Sequence, residues 1–254
     1  MTLVIQTDHG AVRHLTLSRP QARNALDTAL LGELLDTVSA AAAHPGVRAI
    51  VLSGAGGAFS AGADLREPLD AAGRVRRTDL FGALYEAVGA CPLPVVAAVD
   101  GPCVGGGAEL AAACDLRVAE PDAAFRFPGA ALGIPVGPAK LVGLLGLGAA
   151  KDLVLTSRTV GAEEAARIGL VQRLAPAGEG LPAALELAAA IARNHPDAVR
   201  YLKRQFDRFS GLGDRIAAEN DALHAHAEGG GDFAALTASK PGAGGWSGGS
   251  WTKR

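Results

Sequence analysis

The chain is poor in the residues that mark several protein classes. Its 254 residues hold three cysteines, Cys91, Cys103 and Cys114, and none are in C-x-x-C spacing. An odd count without that spacing supports neither a disulfide framework nor a zinc knuckle. Aromatic residues make up 4%, too few for an all-β sandwich. Excess charge of one sign is also missing: 24 Lys plus Arg face 26 Asp plus Glu, a net charge of −2. A nucleic-acid binder would normally carry a basic surplus. No apolar run approaches the roughly 18 residues of a membrane span. The opening MTLVIQTDHG has no basic segment followed by an apolar one, as a secretory signal would. A reducing cytoplasm is expected, with no nucleic acid and no membrane as partner.

What is abundant points to packed helices. Hydrophobic residues reach 49% and alanine about a fifth of the chain, enough to bury a sizeable core. Residues 3–5 and the alternating Val12, Leu15 and Leu17 predict a hairpin across the Asp8-His9-Gly10 turn. Asp27 is placed to cap a helix running to about Ala43, with Leu30, Leu31, Leu34, Leu35 and Val38 on one face. Residues 49–52, 95–99 and 116–119 read as strands, separated by helical stretches near 78–90 and from the Gly105-Gly106-Gly107 turn to Cys114. That alternation indicates an α/β layered fold with parallel strands. Residues 159–164 are expected to cap a short helix, Gly169-Leu170-Val171 to form a last strand, and alanine-rich helices to fill 181–227. The spans predicted are 1–195 for the α/β core, 196–228 for a helical region and 229–254 for a flexible tail. That tail holds eight glycines together with Trp246 and Trp251.

Several formal motifs fail on context. No G-x-G-x-x-G follows a strand and no Walker sequence occurs. Gly245-Trp246-Ser247-Gly248-Gly249 fits a hydrolase nucleophile pattern, but it lies in the glycine-rich tail without the strand and helix that must present the serine. His224 and His226 stand at i and i+2 on a helix, where side chains diverge, so no metal site is read there and exposed side chains are expected.

Two strand-to-helix turns carry more information: Phe59-Ser60-Ala61-Gly62-Ala63-Asp64-Leu65 and Gly105-Gly106-Gly107-Ala108-Glu109-Leu110. Their small residues let a ligand approach the backbone, and the free N–H groups at such turns attract negative charge. Side by side, two such turns could offer two donors to one oxygen, or they could be simple turn glycines. Glu109, in the first turn of the second helix, is either a carboxylate favouring the positive helix end or an acid/base beside that oxygen.

At these residues the chain resembles the crotonase superfamily, the enoyl-CoA hydratase/isomerase family. The landmarks run in order: Ser18-Arg19-Pro20 with Asn24-Ala25-Leu26, and then Ala58 to Leu65. Pro94 to Gly101, Gly105 to Leu110, and Cys114-Asp115-Leu116 follow. Ala162-Glu163-Glu164-Ala165 with Gly169-Leu170-Val171 closes the series. The resemblance implies a ββα spiral core and a carboxy-terminal helical region that trimerises, as a homotrimer or a dimer of trimers. It also implies acyl-CoA thioester substrates, with coenzyme A entering only as part of the substrate and no metal or other cofactor.

Carried over by residue, Ala63 and Gly106 would supply the two backbone donors that hold a thioester enolate. Glu109 would be the acid/base. Ala61, Asp64, Leu65 and Arg66 would line the acyl-CoA path, and Arg23 would meet CoA phosphates. The resemblance places a second glutamate after Pro128, where this chain has Gly129. Hydration of a 2-enoyl-CoA, or the reverse dehydration, is the leading expectation. The alternatives are double-bond isomerisation or another enolate-forming lyase reaction, a catalytically silent acyl-CoA binder, and last a peptidase built on Ser60. Asp70, Arg74, Arg77 and Tyr85 fall in the stretch that shapes the acyl pocket in relatives and are expected to be surface or structural residues.

Overall fold

Alternation in the first residues produces a hairpin, β1 (Val4–His9) and β2 (Val12–Leu17), paired antiparallel with Val4 opposite Leu17. The computed structural model describes residues 2–230. Asp27 caps α1 (Thr28–Ala43) by accepting the Leu30 N–H at 2.8 Å, which satisfies one of the donors that a helix start leaves free. Then follow β3 (Ala49–Gly54), α2 (Ala71–Gly89), β4 (Val95–Val99), β5 (Pro102–Val104) and α3 (Gly106–Ala113). The chain continues through β6 (Leu116–Ala119), β7 (Ala124–Arg126), α4 (Gly129–Leu132) and α5 (Pro138–Thr156). It ends with β8 (Thr159–Gly161), α6 (Ala162–Arg167), β9 (Arg173–Leu174), α7 (Gly180–Ala192), α8 (Pro196–Ser210) and α9 (Leu212–Glu228).

One sheet runs β1-β2-β3-β4-β6-β9, parallel after its first pair, and a smaller one runs β5-β7-β8. Buried side chains alternate between the two faces of the large sheet, as the pleat requires. Ala49, Val51, Val96, Ala98 and Val118 pack on α7 through Ala184, Leu187 and Ala188. Ile50, Leu52, Val95, Ala97 and Val99 face the larger core with α1, α2 and α3. Among the described residues no helix is long and apolar enough to cross a membrane.

Four expectations shift. Helix α2 starts at Ala71, where Asp70 accepts the Gly73 N–H at 2.7 Å. Asp70 is therefore a cap. Residues 159–161 also form β8, because they pair with β7, while Gly161 at its end still caps the short helix α6. Gly169-Leu170-Val171 is a turn, with Gly169 at φ +88°, and the strand comes two residues later. There the buried Arg117 takes the Leu170 carbonyl, together with those of Ala111 and Cys114. His224 and His226 do diverge, but both are half-buried rather than exposed, and His224 Nδ1 lies 2.7 Å from Asp79 Oδ1. Apart from Gly229 and Gly230, the tail with Trp246, Trp251 and the serine motif lies outside the described residues.

Candidate active site

The site is assembled where β3 and β5 release the chain into loops that cross. Ser60 N–H donates to the Pro102 carbonyl at 3.1 Å, and Val104 N–H returns a bond to the Ser60 carbonyl at 2.9 Å. The buried Asn24, held at φ +53°, donates its amide to the carbonyls of Ala55 (2.9 Å) and Ala58 (2.7 Å). The Arg-Pro…Asn landmark thus fastens the first loop. Ser60 Oγ donates to the Asn24 carbonyl at 2.7 Å and accepts the Gly62 N–H at 3.1 Å, so it is a loop fastener with no histidine beside it and no sign of a peptidase nucleophile. Gly62 sits at φ +87°, and a Cβ there would come within 2.6 Å of the Val104 carbonyl and 3.1 Å of Gly106 N. Only glycine permits both the angle and the approach.

That crossing leaves two N–H groups over. Leu26 pairs with the first loop through Gly62 O and Asp64 N, which leaves the Ala63 N–H outside the ladder. Gly106 opens α3 behind Gly105 at φ +51°, and a first-turn N–H has no acceptor within its own helix. Both residues line one cavity of about 910 Å³, together with Glu109, Phe81 and Tyr85 of α2 and Leu223 of α9. The other residues singled out in the sequence, Arg23, Ala61, Asp64, Leu65, Arg66 and Gly129, also wall this cavity. Asp64 is partly committed to structure, since Arg19 Nη2 lies 2.9 Å from its Oδ2. Arg74 donates to the Leu69 carbonyl at 3.0 Å, and the buried Arg77 donates to the Asp64 carbonyl at 2.8 Å. Both thus hold the loop, as expected. Tyr85 instead lines the cavity.

Gly129 has no room for a side chain. A Cβ built there would meet the backbone oxygens of Val136 (2.8 Å) and Ile134 (2.9 Å). Glu109 is the carboxylate at the inner wall, 1% exposed. Beneath it lie two charged groups that no motif announced, Lys140 of α5 and Glu219 of α9. Lys140 Nζ is 3.1 Å from Glu109 Oε2 and donates to Glu219 Oε1. The Tyr85 ring lies under the ammonium, with its centroid 4.6 Å away, a cation–π contact. Burial pushes the Glu109 carboxyl up to about 7, against the pull of Lys140 and with support from the charge of Glu219. Burial works to discharge Lys140, yet Glu109 and Glu219 together hold its ammonium above the usual range. The sequence hints only at Lys140, a lone charge in the apolar run Pro138-Ala139-Lys140-Leu141-Val142; Glu219 sits among other polar residues, between Arg215 and Asp221, and carries no such signal. Among the described residues no group of three or more His, Cys, Asp or Glu is gathered as a metal site.

Comparison with known proteins places the chain in a family. A sequence model of the enoyl-CoA hydratase/isomerase family matches residues 7–227. A Thermus thermophilus protein provisionally named an enoyl-CoA hydratase is 40% identical over 217 residues, 83% of this chain and 86% of the relative. The solved enoyl-CoA hydratase of Bacillus anthracis superposes with a TM-score of 0.78 at 32% identity, covering 87% of this chain and 91% of its own. A monofunctional enoyl-CoA isomerase from M. smegmatis gives a TM-score of 0.69 at 30% identity, with 83% and 93% covered. By sequence and by fold, the chain belongs to the enoyl-CoA hydratase/isomerase family within the crotonase superfamily.

Proposed function

We propose that the chain acts on acyl-CoA thioesters by stabilising an enolate, with the N–H groups of Ala63 and Gly106 on the thioester oxygen and Glu109 moving the proton at the neighbouring carbon. One observation carries this reading: two backbone donors left over by the loop crossing share a cavity with a single buried carboxylate. Donors of this kind stabilise the charge that develops in the transition state, and losing one typically slows turnover about 10²–10³-fold. Arg23 and Arg66 on the wall fit the phosphates of CoA. Hydration of a 2-enoyl-CoA, or the reverse, follows if Glu109 takes the proton from water and delivers it to C2 on the same face. The groups present supply each part of that step, and it calls on no metal or redox cofactor.

A second reading has its own observation. Backbone closes position 129, so one carboxylate does all the proton transfer, and a 1,3-shift of the double bond requires only one. Incubation with 2-enoyl-, 3-enoyl- and 3-hydroxyacyl-CoA in heavy-oxygen water separates the two by mass spectrometry. Label in a hydroxyacyl product, or loss of water from the 3-hydroxyacyl-CoA, supports hydration chemistry, and label-free interconversion of the 2- and 3-enoyl isomers, resolved by chromatography, supports isomerisation. Binding without conversion of any thioester would overturn both readings and leave an acyl-CoA binder.

Assembly is part of the proposal. Leu202, Phe206 and Phe209 of α8 recur at i, i+4 and i+7 and are 53, 71 and 79% exposed. An apolar row of that spacing on one helix face fits burial against another copy, which supports a homotrimer or a pair of trimers. Sedimentation of the protein reads the stoichiometry directly.

A further inference from the structure

Three ionisable side chains meet behind the cavity wall, and only Glu109 belongs to the wall itself. The two carboxylates of this group are unequally served. Glu219 Oε2 accepts the backbone N–H groups of Gly137 and Ala139, each at 3.0 Å, and its Oε1 accepts from Lys140. It sits at the amino terminus of α5, where free donors and the helix dipole favour a negative charge. Glu109 has a single opposite charge beside it, Lys140 at 3.1 Å. That contact is an ion pair rather than a well-aligned hydrogen bond, and Oε2 is buried with no other donor beside it. Two buried carboxylates around one cation resist ionising together. Glu219 is the better served of the two, with three donors against the single cation beside Glu109, and burial raises the Glu109 carboxyl.

We infer that Lys140 and Glu219 form a positioning pair that determines when Glu109 holds a proton and which of its oxygens faces the substrate. The inference rests on the reading of Glu109 as the acid/base. With Oε2 turned to Lys140 and sealed, Oε1 is the oxygen left for the cavity. The groups that face Glu109 are Lys140 from α5, Glu219 from α9, the Tyr85 phenol from α2 and the Cys103 thiol from β5. Burial holds the phenol and the thiol well above their ordinary ranges, so both are neutral near pH 7. The remaining two act in opposite directions, the ammonium favouring the carboxylate and the Glu219 anion favouring the acid. A role confined to packing has no such sign.

The test is a titration of the full-length protein labelled at the glutamate carboxyl carbons, followed by carbon NMR without ligand, with E109Q identifying the Glu109 resonance. K140M is expected to raise the Glu109 midpoint by about one unit or more, E219Q to lower it, and K140R to hold it close to wild type. A midpoint unmoved in K140M, or moved in the same direction by K140M and E219Q, overturns the inference. If K140M does not fold, E219Q decides alone: a downward shift supports the pairing, and an unchanged or raised midpoint overturns it. A parallel pH profile with but-2-enoyl-CoA should show the acid limb of kcat/KM, which reports the free enzyme, following the NMR midpoint, while KM on the plateau stays within about twofold. Full activity in E109Q would overturn the acid/base reading itself, and with it the inference. An inactive E109Q with unmoved midpoints would overturn only the pairing.

Discussion

Two clusters in this molecule each hold a cation between two carboxylates, the surface one with Arg167 a further 3.9 Å from Glu164, and they behave oppositely. On the surface, Arg158 Nη2 lies 2.7 Å from both Asp152 Oδ2 and Glu164 Oε1. There the hydrogen bonds from Arg158 hold the Glu164 carboxyl below its usual range. In the interior, Lys140 lies between Glu109 and Glu219, and Glu109 is raised to about 7. At the surface, water and Arg158 together favour the charged form of Glu164. Inside, loss of hydration outweighs the one available cation, and one carboxylate takes a proton instead. Burial and the number of donors decide the sign, not the count of partners.

The largest way to break this comparison is to remove the interior proton site. E109Q should cut turnover about 10²–10⁴-fold, the usual contribution of a positioned acid or base, measured on whichever enoyl-CoA the mass-spectrometric panel identifies. Removing the cation comes next. K140M leaves Glu219 buried without its counter-charge and should destabilise the fold by about 3–5 kcal/mol, read from denaturant midpoints at constant slope. A third test uses pH. If the carboxylate form of Glu109 starts the reaction, as proposed, kcat/KM should climb through about pH 7 and then level off.

Stability should run the other way at that residue. The folded state holds a proton that the unfolded chain, with its ordinary value of 4.5, releases. The contribution is therefore present below the unfolded value and is lost as pH rises toward 7. Glu164 has the opposite sign, its contribution fading as pH falls through its lowered value. The smallest effect belongs to the surface cluster. R158A should move Tm by no more than about 2 °C, and added salt should weaken the Glu164 shift while leaving Glu109 unmoved.

The sequence was readable wherever the controlling contacts are local. Asp27 as a helix cap and the glycine turn before α3 rest on near neighbours in the chain, and the 95–99 and 116–119 strands announce themselves as short apolar runs although their pairing partners are distant. The loop residues of the cavity were legible for the same reason, since small residues after a strand mark a close backbone approach. Lys140 and Glu219 were not. They meet Glu109 only because α5 and α9 pack around α3, and an isolated Lys or Glu in a helix usually faces solvent. The displaced strand at β9 failed similarly, because the anchor that fixes it, Arg117, lies 53 residues from Leu170.

Helix α9 has a consequence for the order of events during folding. Glu219 bonds Gly137 from 82 residues further along the chain. An intermediate with every strand paired but α9 undocked would already own both loops and the cavity wall apart from Leu223, yet the proposed proton carrier would answer to Lys140 alone. Catalytic competence would then appear at the final docking step, after substrate affinity, and refolding followed by both signals would show affinity returning first.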